Sequence, residues 1–124
     1  MIDSYESELI DVSGTIAGDF ASSGTGFQRA PINTAGLAGD INYVLRVPTT
    51  LRDALDIVNG CAFTLDNTPV GRFNAQTQLA AFSGSELTLT GCPAPTVVSA
   101  VALSGTSVRV TFDRNILASS VTAN

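Results

Sequence analysis

Three residue types are absent from this chain of 124 residues: histidine, lysine and tryptophan. Without histidine, the chain has no imidazole to act as a general base or to join a Ser-His-Asp triad. Without lysine, it has neither a Schiff-base nucleophile nor the lysine of a phosphate-binding P-loop. A pair of catalytic carboxylates remains a formal alternative, but a chain this short offers no obvious cleft for it. We therefore expect a protein that is not an enzyme and that holds no cofactor or metal.

Positive charge is also scarce, because six arginines stand against eleven acidic residues and the net charge is −5. Nucleic-acid binding needs a basic stripe that neutralises phosphates, so we expect no nucleic-acid partner. No apolar run approaches the roughly 20 residues that span a bilayer, so we expect no membrane insertion. The acidic first residues form neither the basic nor the apolar region of a signal peptide, which predicts synthesis in a cytoplasm.

Cysteine is limited to Cys61 and Cys92, and neither has the CxxC or CxxH companion that would suggest a zinc site. The two could form a disulfide in an oxidising compartment, because antiparallel strands between them could bring them together. A reducing cytoplasm keeps thiols free, however, and isolated cysteines are commonly buried in a core. We therefore predict two free thiols.

Apolar residues make up 44% of the chain, which suits a folded domain rather than a disordered segment. Apolar and polar residues alternate over 8–16 and 41–47, which predicts half-buried strands at both places. Turn-forming residues at 66–69 predict a reversal there. The shorter strands are predicted over 61–65, 70–73, 76–82 and 86–90. Their spacing is typical of an antiparallel meander.

One short helix is predicted over about 51–59. Thr50 would be its N-cap, with Asp53 three residues later as in a capping box. Apolar residues then follow at the spacing of one helical face, and Asn59-Gly60 supplies a stop signal. Residues 1–92 are thus expected to form a small antiparallel β domain of the α+β type, carrying one helix.

The segment 17–39 is rich in glycine and too long for an ordinary loop in a compact domain. Its composition disfavours regular structure and leaves open only a short extended piece around 27–32. It also contains three apolar residues, Phe20, Phe27 and Ile32, which a purely solvated loop would not need. One reading is a mobile surface loop. The other is an assembly arm that orders itself on a neighbouring chain, and we take these three side chains as its candidate anchors.

A boundary is predicted at the Pro-Ala-Pro segment 93–95, because Pro93 and Pro95 stiffen the chain and block a helix or central strand. We expect these prolines to act as a hinge. Beyond them, residues 96–113 alternate in character around a turn at Ser104-Gly105, which predicts a β-hairpin.

The hairpin also carries spaced apolar residues: Pro95, Val98, Val101, Val108, Val110 and Phe112 follow the pattern P-x-x-V-x-x-V-x-x-x-x-x-x-V-x-V-x-F. This pattern resembles the opening of bacterial immunoglobulin-like domains. Such domains are repeated in surface proteins and appended to phage virion proteins. The resemblance implies that residues 96–124 hold the first strands of a β-sandwich, whereas residues 1–92 match no family.

A complete sandwich of this type needs roughly 90–100 residues and about seven strands. We therefore expect the remaining strands to follow further along the same chain. Two alternatives stay open: the hairpin completes the sheet of another chain, or it packs on residues 1–92.

From these features we expect a non-enzymatic structural protein of a virus-like assembly: a tailed-phage component of the decoration, tail, baseplate or fibre-anchoring kind. Its partners would be other structural subunits, copies of itself, and a host cell surface or glycan, and its location would be the virion. One alternative is a fragment of a bacterial surface adhesin. Another is a small carbohydrate-binding module, for which two tyrosines offer little stacking surface.

Overall fold

The computed structural model describes residues 6–117, 119 and 121. The chain divides into two compact units, residues 1–92 and 93–124, so the division falls where the predicted linker begins. Both units consist mainly of β-strands, and the first carries a single short helix within its described part. This confirms a mainly β fold with a small β domain.

The first unit contains seven strands and one helix between residues 6 and 92. The strands are β1 (Leu9–Ile16), β2 (Ala21–Ser22), β3 (Phe27–Thr34), β4 (Tyr43–Pro48), β5 (Ala62–Phe73), β6 (Gln76–Ala80) and β7 (Leu87–Gly91). The helix α1 (Thr49–Ala54) connects β4 to β5. The second unit contains β8 (Val97–Ser104) and β9 (Ser107–Phe112).

Five strands of the first unit close into a barrel. The ring runs β1-β3-β4-β6-β5 and returns to β1, because β1 pairs with both β3 and β5. All pairs in the ring are antiparallel except β4 with β6, which is parallel. The two remaining strands add to the ring, β2 on β3 and β7 on β5. The predicted antiparallel meander is therefore wrong, since β5 lies between β6 and β7.

The turn predicted at 66–69 is also wrong, because these residues lie within the continuous strand β5. Ile10 pairs with Thr68 but Val12 pairs with Leu65, so β5 holds one extra residue there, as in a β-bulge. Asn67 has a positive φ of 53°, and its N–H donates to Asp11 Oδ1 at 2.8 Å. The turn-forming residues bend the strand without reversing it. Because of this bend, the first part of β5 pairs with β1 and β7, and its last part pairs with β6.

The barrel interior forms the hydrophobic core. Its largest fully buried side chains are Tyr43, Phe63, Ile16, Ile32, Leu45, Ile57, Leu65, Leu79, Leu87, Val47 and Val70. Small barrels leave room for side chains only, so this interior is filled and holds no channel. Burial raises the pKa of the Tyr43 phenol, and its hydrogen bond with Thr34 opposes that rise.

The helix is shorter than predicted and begins one position before Thr50, with Pro48 as N-cap and no side-chain cap. It ends early because Asp56 adopts a left-handed conformation with φ of 50°. The N–H of Asp56 then donates to Asp53 O at 3.2 Å, and the N–H of Ile57 donates to Arg52 O at 3.0 Å. These two bonds form a Schellman motif. It turns Ile57, which is 1% exposed, into the core.

Part of the glycine-rich segment lies in the barrel wall, because β3 is one of the five ring strands. The prediction that Ile32 anchors this segment on a neighbouring chain is therefore wrong, whereas the same role for Phe20 and Phe27 stays a prediction. Ile32 lies in β3 and is 1% exposed in the core, and Phe20 packs partly buried against that core. Gly24 and Gly26 have positive φ angles of 89° and 76° in the turn between β2 and β3. Glycine adopts such angles without strain, so these residues form a tight connection.

Cys61 and Cys92 form a disulfide, with an S–S distance of 2.03 Å, so the prediction of free thiols is wrong. Cys61 directly precedes β5 and Cys92 directly follows β7. Because Ala62 pairs with Gly91, the antiparallel register places the two cysteines side by side. The disulfide therefore links the beginning of β5 to the end of β7.

The second unit is a two-stranded hairpin with exposed strands. At its open end, Thr96 donates from its N–H and hydroxyl to the two Asp113 oxygens, at 2.8 and 2.6 Å. The Thr96 hydroxyl, followed by its N–H, holds the pKa of Asp113 below its ordinary value. These bonds close the ladder at the end opposite the turn.

Candidate functional site

A cavity of about 480 Å³ lies on the outer side of the barrel wall. Its lining residues are Ser22, Ser23, Gly24, Arg29, Arg46, Arg72, Phe73 and Gln78. It therefore gathers three of the six arginines of the chain, and none of these lining residues is acidic. In a protein of net charge −5, this is a local concentration of positive charge.

Strand alternation places Arg29 and Arg46 on the outer face. Ala30 follows Arg29 in β3, and Leu45 and Val47 flank Arg46 in β4; all three are 0% exposed in the core. Successive side chains of a strand point to opposite faces, so both arginines project away from the core.

Arg29 and Arg46 are also direct cross-strand partners in the β3–β4 ladder. Like charges directly opposite one another destabilise a sheet. Within the part of the chain that the structure describes, neither arginine forms an ion pair. No carboxylate of the described residues therefore offsets the repulsion between the two guanidinium groups.

The Arg46 guanidinium is held in place by its surroundings. It lies over the Phe27 ring at 3.8 Å from the centroid, a cation–π contact. Its Nη2 donates to the Ser23 carbonyl at 3.3 Å, and its Nε reaches Ser23 Oγ at 3.3 Å. The Phe27 ring meets the Phe82 ring edge to face, with centroids 6.3 Å apart.

Each of the other two cavity arginines donates to a backbone carbonyl. Arg29 Nη1 donates to the Ser22 carbonyl at 3.4 Å, and Arg72 Nε donates to the Asn74 carbonyl at 3.2 Å. Phe73 contributes an aromatic ring that remains 60% exposed. The cavity thus combines guanidinium groups, hydroxyl and amide groups, and one accessible ring.

Of the residues singled out from the sequence, only Phe27 supports this cavity, by carrying Arg46. Phe20 lines a smaller cavity of about 240 Å³ elsewhere, and Ile32 is in the core. The arginines were missed because they are far apart in sequence and follow no motif. The usable signal was the outward position of Arg29 and Arg46 in their strands, but only the ladder register places them together.

The hairpin of the second unit presents a different surface, composed of exposed apolar side chains. They are Val97, Val98, Val101 and Leu103 of β8 and Val108 and Val110 of β9, each 45% exposed or more. Two strands alone are marginally stable in water and cannot bury both of their faces. This surface is therefore suited to contact further strands.

No protein-family model, curated protein or solved structure matches the chain. Between residues 6 and 121, at the described positions, no group of three or more metal-ligating side chains occurs, and no helix is long and apolar enough to cross a bilayer. Because a fold by itself does not define a function, the two surfaces are interpreted from their own chemistry.

Proposed function

We propose that the chain is a non-enzymatic structural protein of a virus-like assembly, of the tailed-phage virion kind. In this proposal the barrel unit anchors the protein, and the hairpin begins an immunoglobulin-like module that the particle displays. The observation that carries the proposal is the β8–β9 hairpin, whose apolar side chains are exposed along both strands.

The composition of the hairpin supports a sandwich module over a free loop. Valines occupy positions on both of its faces, and a solvated hairpin would normally be polar on at least one face. In a β-sandwich a second sheet packs about 10 Å from the first and covers one face. The strands that provide this cover would follow along the same chain, as the resemblance implies.

The barrel unit has properties that suit an anchor. Its five-stranded ring is closed, so the ring itself offers no free edge to unwanted strand pairing. Its disulfide joins the region before β5 to the end of β7. Disulfides persist in oxidising surroundings, which is the setting of a particle outside the cell.

A truncation tests this division of roles. We expect a phage that encodes the chain without residues 96 onward to assemble particles in normal yield and to lose part of its attachment to host cells. A second variant, Val110→Lys, keeps the chain length and places a charge on the hairpin face. We expect it to reduce attachment in the same way.

Particle yield by electron microscopy and adsorption to cells are the two measurements. Loss of particles in the truncation, while the barrel protein itself stays folded by circular dichroism, would contradict the proposal. The hairpin would then be a strand donor that holds the assembly together.

A further inference from the structure

We propose that the arginine cavity of the barrel unit binds a small saccharide that carries an oxyanion, either a carboxylate or a sulfate. The site is formed by Arg29 and Arg46, with Ser22 and Ser23 beside them and Phe73 at its edge. The proposal does not depend on the display role of the hairpin, because every lining residue belongs to residues 1–92.

The anionic part follows from the paired guanidinium groups. Arg29 and Arg46 face one another across the ladder without an ion pair among the described residues. A bound oxyanion would offset their repulsion and accept charge-assisted hydrogen bonds from both. The planar fork of arginine matches the geometry of a carboxylate or sulfate group, which explains why arginine rather than lysine suits this position.

The cavity is organised before a ligand arrives. Phe27 and Ser23 fix Arg46, and the Ser22 carbonyl orients Arg29. An arginine that is already held loses less conformational entropy on binding. These supporting contacts join β2 to β3 and the β2–β3 turn to β4, so the barrel itself positions the guanidinium groups.

The size of the cavity and the charge of the protein favour a small ligand over a polyanion. A volume of about 480 Å³ lies within the range of about 300–1,000 Å³ that small-molecule sites occupy. The remaining surface is acidic overall, so a long polyanion such as a nucleic acid would meet repulsion beyond the cavity.

The saccharide part follows from the other lining groups. Phe73 is 60% exposed and offers a ring face on which a pyranose can lie. The hydroxyls of Ser22 and Ser23 and the amide of Gln78 provide donors and acceptors at the same cavity. Sugar hydroxyls match these groups, whereas a bare inorganic ion would leave the ring without a contact.

Isothermal titration calorimetry on the full chain tests the proposal with four probes: glucuronic acid, glucose 6-sulfate, glucose and sodium sulfate. We expect the two acidic sugars to bind at least about tenfold more tightly than glucose. Glucose has no anionic group and therefore cannot form the charge-assisted hydrogen bonds to the arginines. We also expect both to bind more tightly than sodium sulfate.

Two matched variants locate the site. Arg29→Gln removes a guanidinium from the cavity and should weaken the acidic sugars about tenfold or more. Arg109→Gln removes the same charge from the exposed hairpin and should change nothing. Phe73→Ala should weaken glucuronic acid without affecting sodium sulfate, and since Phe73 is exposed, this variant should remain folded.

Several outcomes would overturn the proposal. They are failure of both acidic sugars to bind, equal binding of glucose and glucuronic acid, and equal effects of Arg29→Gln and Arg109→Gln. Binding of sodium sulfate as tight as that of glucose 6-sulfate would overturn the saccharide assignment. Circular dichroism shows whether each variant is folded, and affinities are compared only among folded variants.

Discussion

The barrel and the hairpin both consist of strands rich in apolar residues, but the barrel buries these side chains and the hairpin exposes them. Leu65 in β5 is 0% exposed, whereas Leu103 in β8 is 56% exposed. Both lie in strands that pair antiparallel with a neighbouring strand. The difference is that β5 belongs to a ring that closes on itself, and β8 belongs to a sheet of two strands.

This contrast separates strand formation from core formation. Alternation and β-branched residues are sufficient to form a ladder in both units. Burial needs a second layer or a closed ring, and only residues 1–92 provide one within the described chain. Stability should therefore depend on individual side chains in the barrel far more than in the hairpin.

The disulfide should have the largest effect, and it should act on the barrel alone. A crosslink that closes a loop of this length, 31 residues, stabilises by about 4 kcal/mol in the chain-entropy model. We expect Cys92→Ser, which changes the exposed member of the pair, to lower the free energy of unfolding in urea by that order. Reduction with dithiothreitol should lower it similarly in the natural chain and leave the variant unchanged. Equal stability of the oxidised and reduced chains would contradict this.

A pair of leucine truncations compares the two units directly. Leu65→Ala should lower the free energy of unfolding by about 3 kcal/mol, because it opens a cavity in a filled interior. Leu103→Ala should change it by less than about 0.5 kcal/mol, as expected for an exposed position. Urea unfolding followed by circular dichroism measures both. Similar losses from the two substitutions would mean that the hairpin side chain is covered in solution.

A pair of glycine substitutions sharpens the comparison within the barrel. A Cβ added to Gly14 would overlap the Asn33 carbonyl oxygen and lie 3.1 Å from the Phe63 ring. Gly14→Ala should therefore destabilise by about 2 kcal/mol through overpacking. Gly84→Ala meets nothing within 4 Å and should have little effect. Thermal unfolding of the two variants distinguishes them, and a neutral Gly14→Ala would show that β1 and β3 are not this close.

The smallest effect is expected at the open end of the hairpin. The Thr96 hydroxyl and N–H lower the pKa of Asp113, so this contribution to stability is present above the ordinary aspartate pKa. It is lost as the pH falls through the lowered pKa of the folded state. A carboxyl titration by NMR should place Asp113 below the ordinary range. Thr96→Ala should return the pKa towards it, and an unchanged pKa in that variant would contradict the assignment.

The candidate site illustrates a similar limit of sequence reasoning. Arg46 is recognisable as an outward residue of the predicted strand 41–47, whereas Arg29 lies in the glycine-rich segment, where the sequence leaves open only a short extended piece. Their meeting depends on the β3–β4 register and on the turn at Gly24 and Gly26. No spacing in the sequence encodes that register, because pairing between strands is a long-range property.

The sequence by itself determined the mainly β character, the position of the unit boundary, the alternation of β1 and β4, and the existence of one short helix. Each follows from local chemistry: side-chain alternation, prolines and helix-forming spacing. Only the tertiary structure decided that residues 66–69 bend β5, that β3 within 17–39 becomes a strand of the closed ring, and that Cys61 reaches Cys92. These depend on closing a ring from strands distant in sequence. Local preferences are too weak to specify such closure, whereas burial of a common core selects it.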